Sequence, residues 1–228
     1  MCGDTEFVIV QEESGVDVAQ PCPFCAAKKR QERLFRSSRI TPGFQRLTFE
    51  GFVLDGRPAC VQAAHAAAQD YLRRFAELAG ERQNSIMLLG PPGSGKTHLL
   101  TAVANRLLAH GTQVLYFPWV EGSGDLRGDW DAIQPKLGRM KSAPVLYIDD
   151  LFKGRKMPTD FQLENLFDVV NYRYLNLLPM MVSSERDVDQ LCDIDEGIGS
   201  RLYEMAKHHT VLMRQVPGET GALNYRLS

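Results

Sequence analysis

Ser85 to Thr101 reads SIMLLGPPGSGKTHLLT, and the fold turns on how this stretch is read. A short apolar run, Ile86 to Leu89, leads into a glycine-rich loop that ends in a lysine, a threonine and a leucine-rich helix. Gly90, Pro91, Pro92, Gly93, Ser94, Gly95, Lys96 and Thr97 match the phosphate-binding pattern G-x-x-x-x-G-K-[ST]. The chemistry explains the spacing. Small residues let backbone N–H groups close around phosphate oxygens, and a helix N-terminus faces the anion. Lys96 brings a cation to the β and γ oxygens, and Thr97 offers a hydroxyl to Mg²⁺. His98 follows directly and is counted with the loop as a nucleotide-binding position. A glycine-rich turn without function needs neither a strand before it nor a helix behind it. ATP and Mg²⁺ are the expected cofactors.

Outward from this loop, apolar runs alternate with helical stretches. Ile86–Leu89, Val114–Phe117, Val145–Ile148, Met180–Val182 and Thr210–Met213 read as strands. Pro58–Leu78, Thr97–Ala109, Phe161–Tyr174 and part of Ser200–Ala206 read as helices. Strands separated by helices imply βαβ units, so the expected fold is α/β: a five-stranded parallel sheet between helices. YFPWVEGSGDLRGDW, with Trp119 and Trp130, reads as a loop-rich insertion in which Trp119 packs rather than stacks on bases.

Three further motifs follow in order. VLYIDDLF is an apolar strand ending in two carboxylates, which are costly at a buried strand end unless a cation meets them. Asp149 is read as the Mg²⁺-side acid and Asp150 as the residue that orients and polarises water. PMMVSSERDV is a third strand with a polar tip; in nucleotide-hydrolysing folds of this kind it lies between the first two motif strands. Ser184 is taken as its γ-phosphate contact and Ser183 as the near alternative. GIGSRLYEM places Arg201 after a glycine-rich loop, where an arginine can be a surface charge or can reach a neighbour's γ-phosphate.

Residues 1–40 differ from 41–228, with the boundary near 38–45. FVIV alternates like a strand, and Ala26 to Arg36 reads as a short basic helix. Cys22 and Cys25 form C-x-x-C, half of a zinc site. With Cys2 they supply three thiolates; Zn²⁺, a degenerate metal-free version and a redox pair all stay open. Lys28, Lys29, Arg30, Arg33, Arg36 and Arg39, with Leu34 and Phe35 interleaved, are either a solvated linker or a surface for a partner protein or DNA phosphates. Cys60 and Cys192 read as buried apolar residues, and His208–His209 as surface.

The chain has 228 residues, 44% of them hydrophobic and 24% charged, with a net charge of -2, so nucleic-acid contact would need a local basic patch. No apolar run approaches the ~20 residues that span a bilayer, and no membrane partner is expected. Five unevenly placed cysteines argue against a secreted disulfide framework and for a cytoplasmic setting.

Taken together, the four motifs resemble those of the AAA+ ATPases. FRSSRITPGFQRLTFEGF, VLYFPWVEG, VLYIDDLFKGRKMPTDFQLENLFDVVNYRY, VSSERDVDQL, GSRLYEM and LNYRLS narrow the likeness to DnaC/DnaI-type replicative helicase loaders of phage and prophage type, over roughly residue 20 onward. The resemblance implies an ATPase that self-assembles on ATP, works on a hexameric replicative helicase and places it on single-stranded DNA. It puts Lys96, Thr97, Asp149 and Asp150 at the nucleotide, Ser184 as first sensor and Arg201 as a finger acting in trans. In loader-like rings Lys153, Arg155 and Lys156 would face the DNA channel. The head of the chain resembles a loader zinc ribbon of which only part is present. Asp150 stands where a glutamate is commoner, and about fifteen residues follow the last strand, too few for the usual helical lid. Weak hydrolysis without partners is the expectation. A transposition ATPase subunit and a nucleotide-dependent switch with little hydrolysis are the rival readings.

Overall fold

The computed structural model describes residues 7–11, 16–126, 130–154 and 157–227. Cys2, Arg155 and Lys156 lie outside the described residues. Strands β1 (Phe7–Gln11) and β2 (Asp17–Pro21) pair antiparallel, Phe7 opposite Pro21, and lead into helix α1 (Pro23–Ser38). Helix α2 (Ala59–Leu78) precedes β3 (Ile86–Leu89), α3 (Lys96–Ala109), β4 (Val114–Pro118), α4 (Trp119–Gly122) and α5 (Trp130–Ser142). Then come β5 (Val145–Leu151), α6 (Asp160–Leu175), β6 (Met180–Ser184), α7 (Val188–Ile194), α8 (Glu196–Ala206) and β7 (Thr210–Leu212).

β3 to β7 form one parallel sheet in the order β4-β5-β6-β3-β7. β6 therefore lies between the strands that carry the phosphate loop and the paired acids, as the motif order implied. Successive strand residues face opposite sides, so each strand feeds two cores. Met87, Leu89, Leu146, Ile148 and Val182 join the cluster under α5, α6 and α8. Ile86, Leu88, Val145, Tyr147 and Met181 join the one under α2 and α3. Both faces are covered, which is why these strands read as near-continuous apolar runs.

The loop-rich insertion after β4, which the loader resemblance implies is an extra helical element, carries α4 and α5, and α5 has Pro135 inside its span. The glycine-rich loop before Arg201 is the first turn of α8. Asp195 caps it by accepting from Ile198 N–H at 2.8 Å. Gly197 and Gly199 sit there because a Cβ would come within 2.8 Å of the Phe167 ring and 2.7 Å of Cys192 N. Leu34 and Phe35, interleaved in the basic run and read either as part of a solvated linker or as part of a partner surface, pack against the chain's own α2–α3 core.

Arg173 and His209 are both buried. Arg173 on α6 is fully enclosed; it donates to the carbonyls of Met140, Ala143 and Pro179 at 2.7–2.8 Å and to Lys141 and Pro144 at 3.1 and 3.4 Å. Burial pushes its pKa down to about 9, so it stays charged at neutral pH and ties α6 to the starts of β5 and β6. Arg173→Met should cost about 3 kcal/mol, because it leaves several buried carbonyls without donors while recovering the cation's desolvation. Arg173→Lys, with three donors for five acceptors, should fall between the two in chemical denaturation.

His209, read as surface, is 2% exposed, with Nε2 3.2 Å from Asp70 Oδ2 and its ring edge-on to Tyr71. Burial lowers its pKa, with Arg74 and His208 acting the same way and Asp70 opposing. The unfolded chain therefore takes up this proton first. Its contribution to stability is present above the ordinary imidazole range near ~6.5 and fades as pH falls through it. NMR titration should place the His209 ring below that range.

Candidate functional site

The site is built where β3, β5 and β6 end on one side of the sheet. Gly90 leaves β3 at φ +139, where a Cβ would lie 2.5 Å from Met213 O, so the loop can pass the end of β7 only as glycine. Gly95, at φ +105, starts α3, and a Cβ there would strike the Phe52 ring at 2.7 Å. Lys96 Nζ, almost fully buried, donates to Gly90 O at 2.8 Å and Pro91 O at 2.9 Å. Burial lowers its pKa, while Asp150, Glu185 and Asp149 pull it back up.

Asp149 is the hub. Its buried carboxylate accepts from Ser183 Oγ at 2.5 Å, Thr97 Oγ1 at 3.0 Å, Tyr116 OH at 3.1 Å and Tyr147 OH at 3.2 Å. Burial nevertheless raises its pKa, the Asp150 charge adding to the effect. A carboxylate that resists ionisation despite four donors is a place where a cation would be stabilising. Thr97 and Asp149 supply the hard hydroxyl and carboxylate oxygens that suit Mg²⁺ bound through one or two protein groups and substrate phosphates. Ser94 Oγ is buried without a hydrogen-bond partner among the described residues. The residues fit ATP·Mg²⁺.

Asp150 lies in left-handed backbone at φ 55, its N–H donating to Ser183 Oγ at 2.8 Å. Its carboxylate pairs with Lys153 Nζ at 2.9 Å, and Lys153 also reaches Glu185 at 3.0 Å. A cavity of about 610 Å³ opens beside these groups. Lys96, Asp149, Asp150 and Lys153, with the Thr97 hydroxyl, form a charged and polar wall, and Phe44, Leu47, Phe52 and Val53 an apolar one. Pro92, Gly93, Gly95 and His98 also line it, His98 held by Thr48 O at 2.8 Å. A charged wall for phosphates and an apolar, aromatic wall for a base suit a nucleotide.

Two expected residues stand elsewhere. Ser184 Oγ donates to Leu151 O at 2.7 Å and accepts from Arg186 N–H at 3.1 Å, so it is turned away from the acids; the serine that meets them is Ser183. Arg201 is absent from the cavity wall. Its Nε donates to Asn171 Oδ1 at 3.1 Å and Nη1 to Gly197 O at 2.9 Å, and the guanidinium lies 5.0 Å from the Phe167 ring centroid. Sequence reasoning did not single out Tyr116, Tyr147 or the Phe44–Val53 wall. The signal for the wall was present in GFQRLTFEGF, quoted only for its likeness to loaders.

Cys22 is buried just before α1 and Cys25 is partly buried within it. Among the described residues no group of three or more His, Cys, Asp or Glu side chains is placed to hold a metal, and no helix is long and apolar enough to cross a membrane.

The model of the bacterial DnaA ATPase domain matches residues 44–206, well over half of the chain. The chain belongs to this family. The DnaA-type core thus contains Lys96, Thr97, Asp149, Ser183 and Arg201, while α1 and everything after residue 206 lie outside the matched span. Relatives from Bacillus subtilis (strain 168) are the uncharacterized protein YqaM, 45% identical over 207 residues (89% of this chain, 65% of the relative), and the phage-like element PBSX protein XkdC, 42% identical over 230 residues (99% and 85%). The chain therefore spans just under two thirds of YqaM and most of XkdC. Among solved structures the fold is like that of DnaI (TM-score 0.66, 23% identity, 86% of this chain and 100% of that one). It is also like the DnaC helicase loader (TM-score 0.60, 19% identity, 76% and 100%). At these identities the likeness is one of fold: the AAA+ P-loop architecture.

Proposed function

We propose that this chain is an ATP-dependent loader of a replicative DNA helicase onto single-stranded DNA, with nucleotide binding and hydrolysis controlling assembly and release. The observation that carries the nucleotide part is the Thr97–Asp149–Ser183 chain of hydrogen bonds, which ties the phosphate loop to the ends of β5 and β6. One hydroxyl, Ser183 Oγ, touches both the Asp149 carboxylate and the Asp150 backbone, so a change at the phosphates is felt at once on two strands. Lys96 binds the β/γ oxygens, Thr97 and Asp149 hold Mg²⁺, Ser183 takes the sensor role, and Asp150 orients water. Mg²⁺ held by Thr97 and Asp149 would neutralise charge on the phosphate oxygens. Arg201, which does not line its own cavity, serves a neighbouring subunit.

The loader part is supported by likeness to the DnaI and DnaC chains along their whole lengths and by the exposed basic residues of α1. Retention of the host replicative helicase on immobilised protein with ATP, and turnover raised by helicase plus single-stranded DNA, are the expected results. Failure to retain the helicase while ATP still binds would overturn the loader reading and leave a DnaA-type ATPase of another task, such as transposition.

One observation favours a slow switch over a fast enzyme. The Asp150 carboxylate is occupied by Lys153, and its shorter arm must give up that pair to orient water. Slow basal turnover with tight ATP binding fits both the pair and the proposed partner dependence.

A further inference from the structure

Residues 214–227 follow β7 and run back across the phosphate loop without helix or strand. Their course is fixed at successive points. Glu219 Oε1 accepts from Ala59 N–H at the first turn of α2 (2.6 Å). Gly221, at φ +105, passes so close to Gly56 that a Cβ would come within 2.4 Å of Gly56 O. Leu223 O accepts from Arg57 Nη2 at 2.9 Å, and the same nitrogen donates to Ser94 O of the phosphate loop at 3.3 Å. Tyr225 N–H donates to Gly93 O at 2.8 Å, and Asn224 fills the space that a Cβ on Gly93 would need.

Arg57 is thus a clamp between two segments far apart in the chain. It is only 7% exposed, its guanidinium lies 5.3 Å from the Tyr225 ring centroid, and it joins the loop that must wrap phosphate to the segment lying over it. The residues delivered by this clamp, Tyr225 and Arg226, line the same cavity as Lys96 and Asp149. They stand outside the span shared with the DnaA-type family, so the family match does not account for them.

We infer that the segment 214–227 is a working wall of the nucleotide site: Arg226 supplies a second phosphate-binding cation beside Lys96, Tyr225 contacts the bound nucleotide, and Arg57 positions both. This rests on the nucleotide reading of the cavity. A guanidinium offers paired donors to phosphate oxygens, and Tyr225 is hydrogen-bonded directly to the phosphate loop, which brings Arg226 within one residue of it. Binding is reciprocal: a nucleotide that gains from Arg226 also holds the segment down.

The test compares Arg226→Ala, Arg226→Lys and Tyr225→Ala with Lys96→Ala in titrations of a fluorescent ATP analogue. Tyr225 and Arg226 are both exposed, so these changes leave the core intact, and a thermal melt checks that they do. Arg226→Ala should weaken ATP about tenfold or more, with Arg226→Lys keeping part of the affinity and Tyr225→Ala falling in the same direction. ATP should also slow tryptic cleavage after Arg214 in the parent and do so less in Arg226→Ala. If Lys96→Ala loses ATP while Arg226→Ala and Tyr225→Ala bind it as the parent does, the inference is overturned and the nucleotide reading stands. If Lys96→Ala also binds as the parent does, the nucleotide reading fails and this inference falls with it.

Discussion

Lys96→Ala is expected to weaken ATP·Mg²⁺ binding roughly a thousandfold, to remove turnover and to leave the fold standing. On the nucleotide reading the ammonium would make charge-assisted hydrogen bonds to phosphate oxygens, and losing two of them would cost about 4 kcal/mol. Stability should barely move. The side chain is buried at the price of desolvation, which is what lowers its pKa, and its present partners are the carbonyls of Gly90 and Pro91. Alanine removes that cost and leaves the carbonyls beside an open cavity that water can fill. Nucleotide titration paired with a thermal melt reads both effects. Parent-like affinity would remove the basis for the nucleotide site, and a collapsed melting temperature would mean that Lys96 is structural.

The legible part of this protein is the part whose physics is local. A parallel strand buried on both faces is an unbroken apolar run, and a phosphate loop is a string of small residues ending in lysine and threonine, so the sheet and the loop could be read without the fold. The choice between Ser183 and Ser184 could not. It depends on alternation along β5 and β6, and their register shifts between Ile148 and Leu151, where Asp150 takes a left-handed conformation. Counting side chains in twos fails across such a break, and the hydroxyl that meets Asp149 is one residue earlier than expected. Arg173 and His209 escaped for another reason. Each carries a charge or a polar ring that usually lies in solvent, and each is buried by partners remote in sequence: the carbonyls around β5 and β6 for the first, Asp70 for the second.

Arg201→Ala should bind ATP about as well as the parent yet lose turnover stimulated by assembly, by a factor of about 10³, or ~4 kcal/mol in the barrier. The structure sharpens this expectation, because Arg201 is not in the wall of its own cavity and its guanidinium is held on α8 and α6 by Gly197 O, Asn171 and the face of Phe167. Those contacts offer a competing explanation: the arginine could simply fasten α8 to α6. Arg201→Lys separates charge from stacking, and mixing variants separates one subunit from the next. In a mixture of Arg201→Ala with Lys96→Ala, one kind of interface joins an intact ATP site to an intact arginine, so part of the stimulated turnover should return although each protein alone is dead. Recovery requires that the arginine cross a subunit boundary, since no intact subunit is present to act in cis. A mixture that stays dead while both variants still assemble would place the role of Arg201 within its own chain, in the packing of α8 against α6.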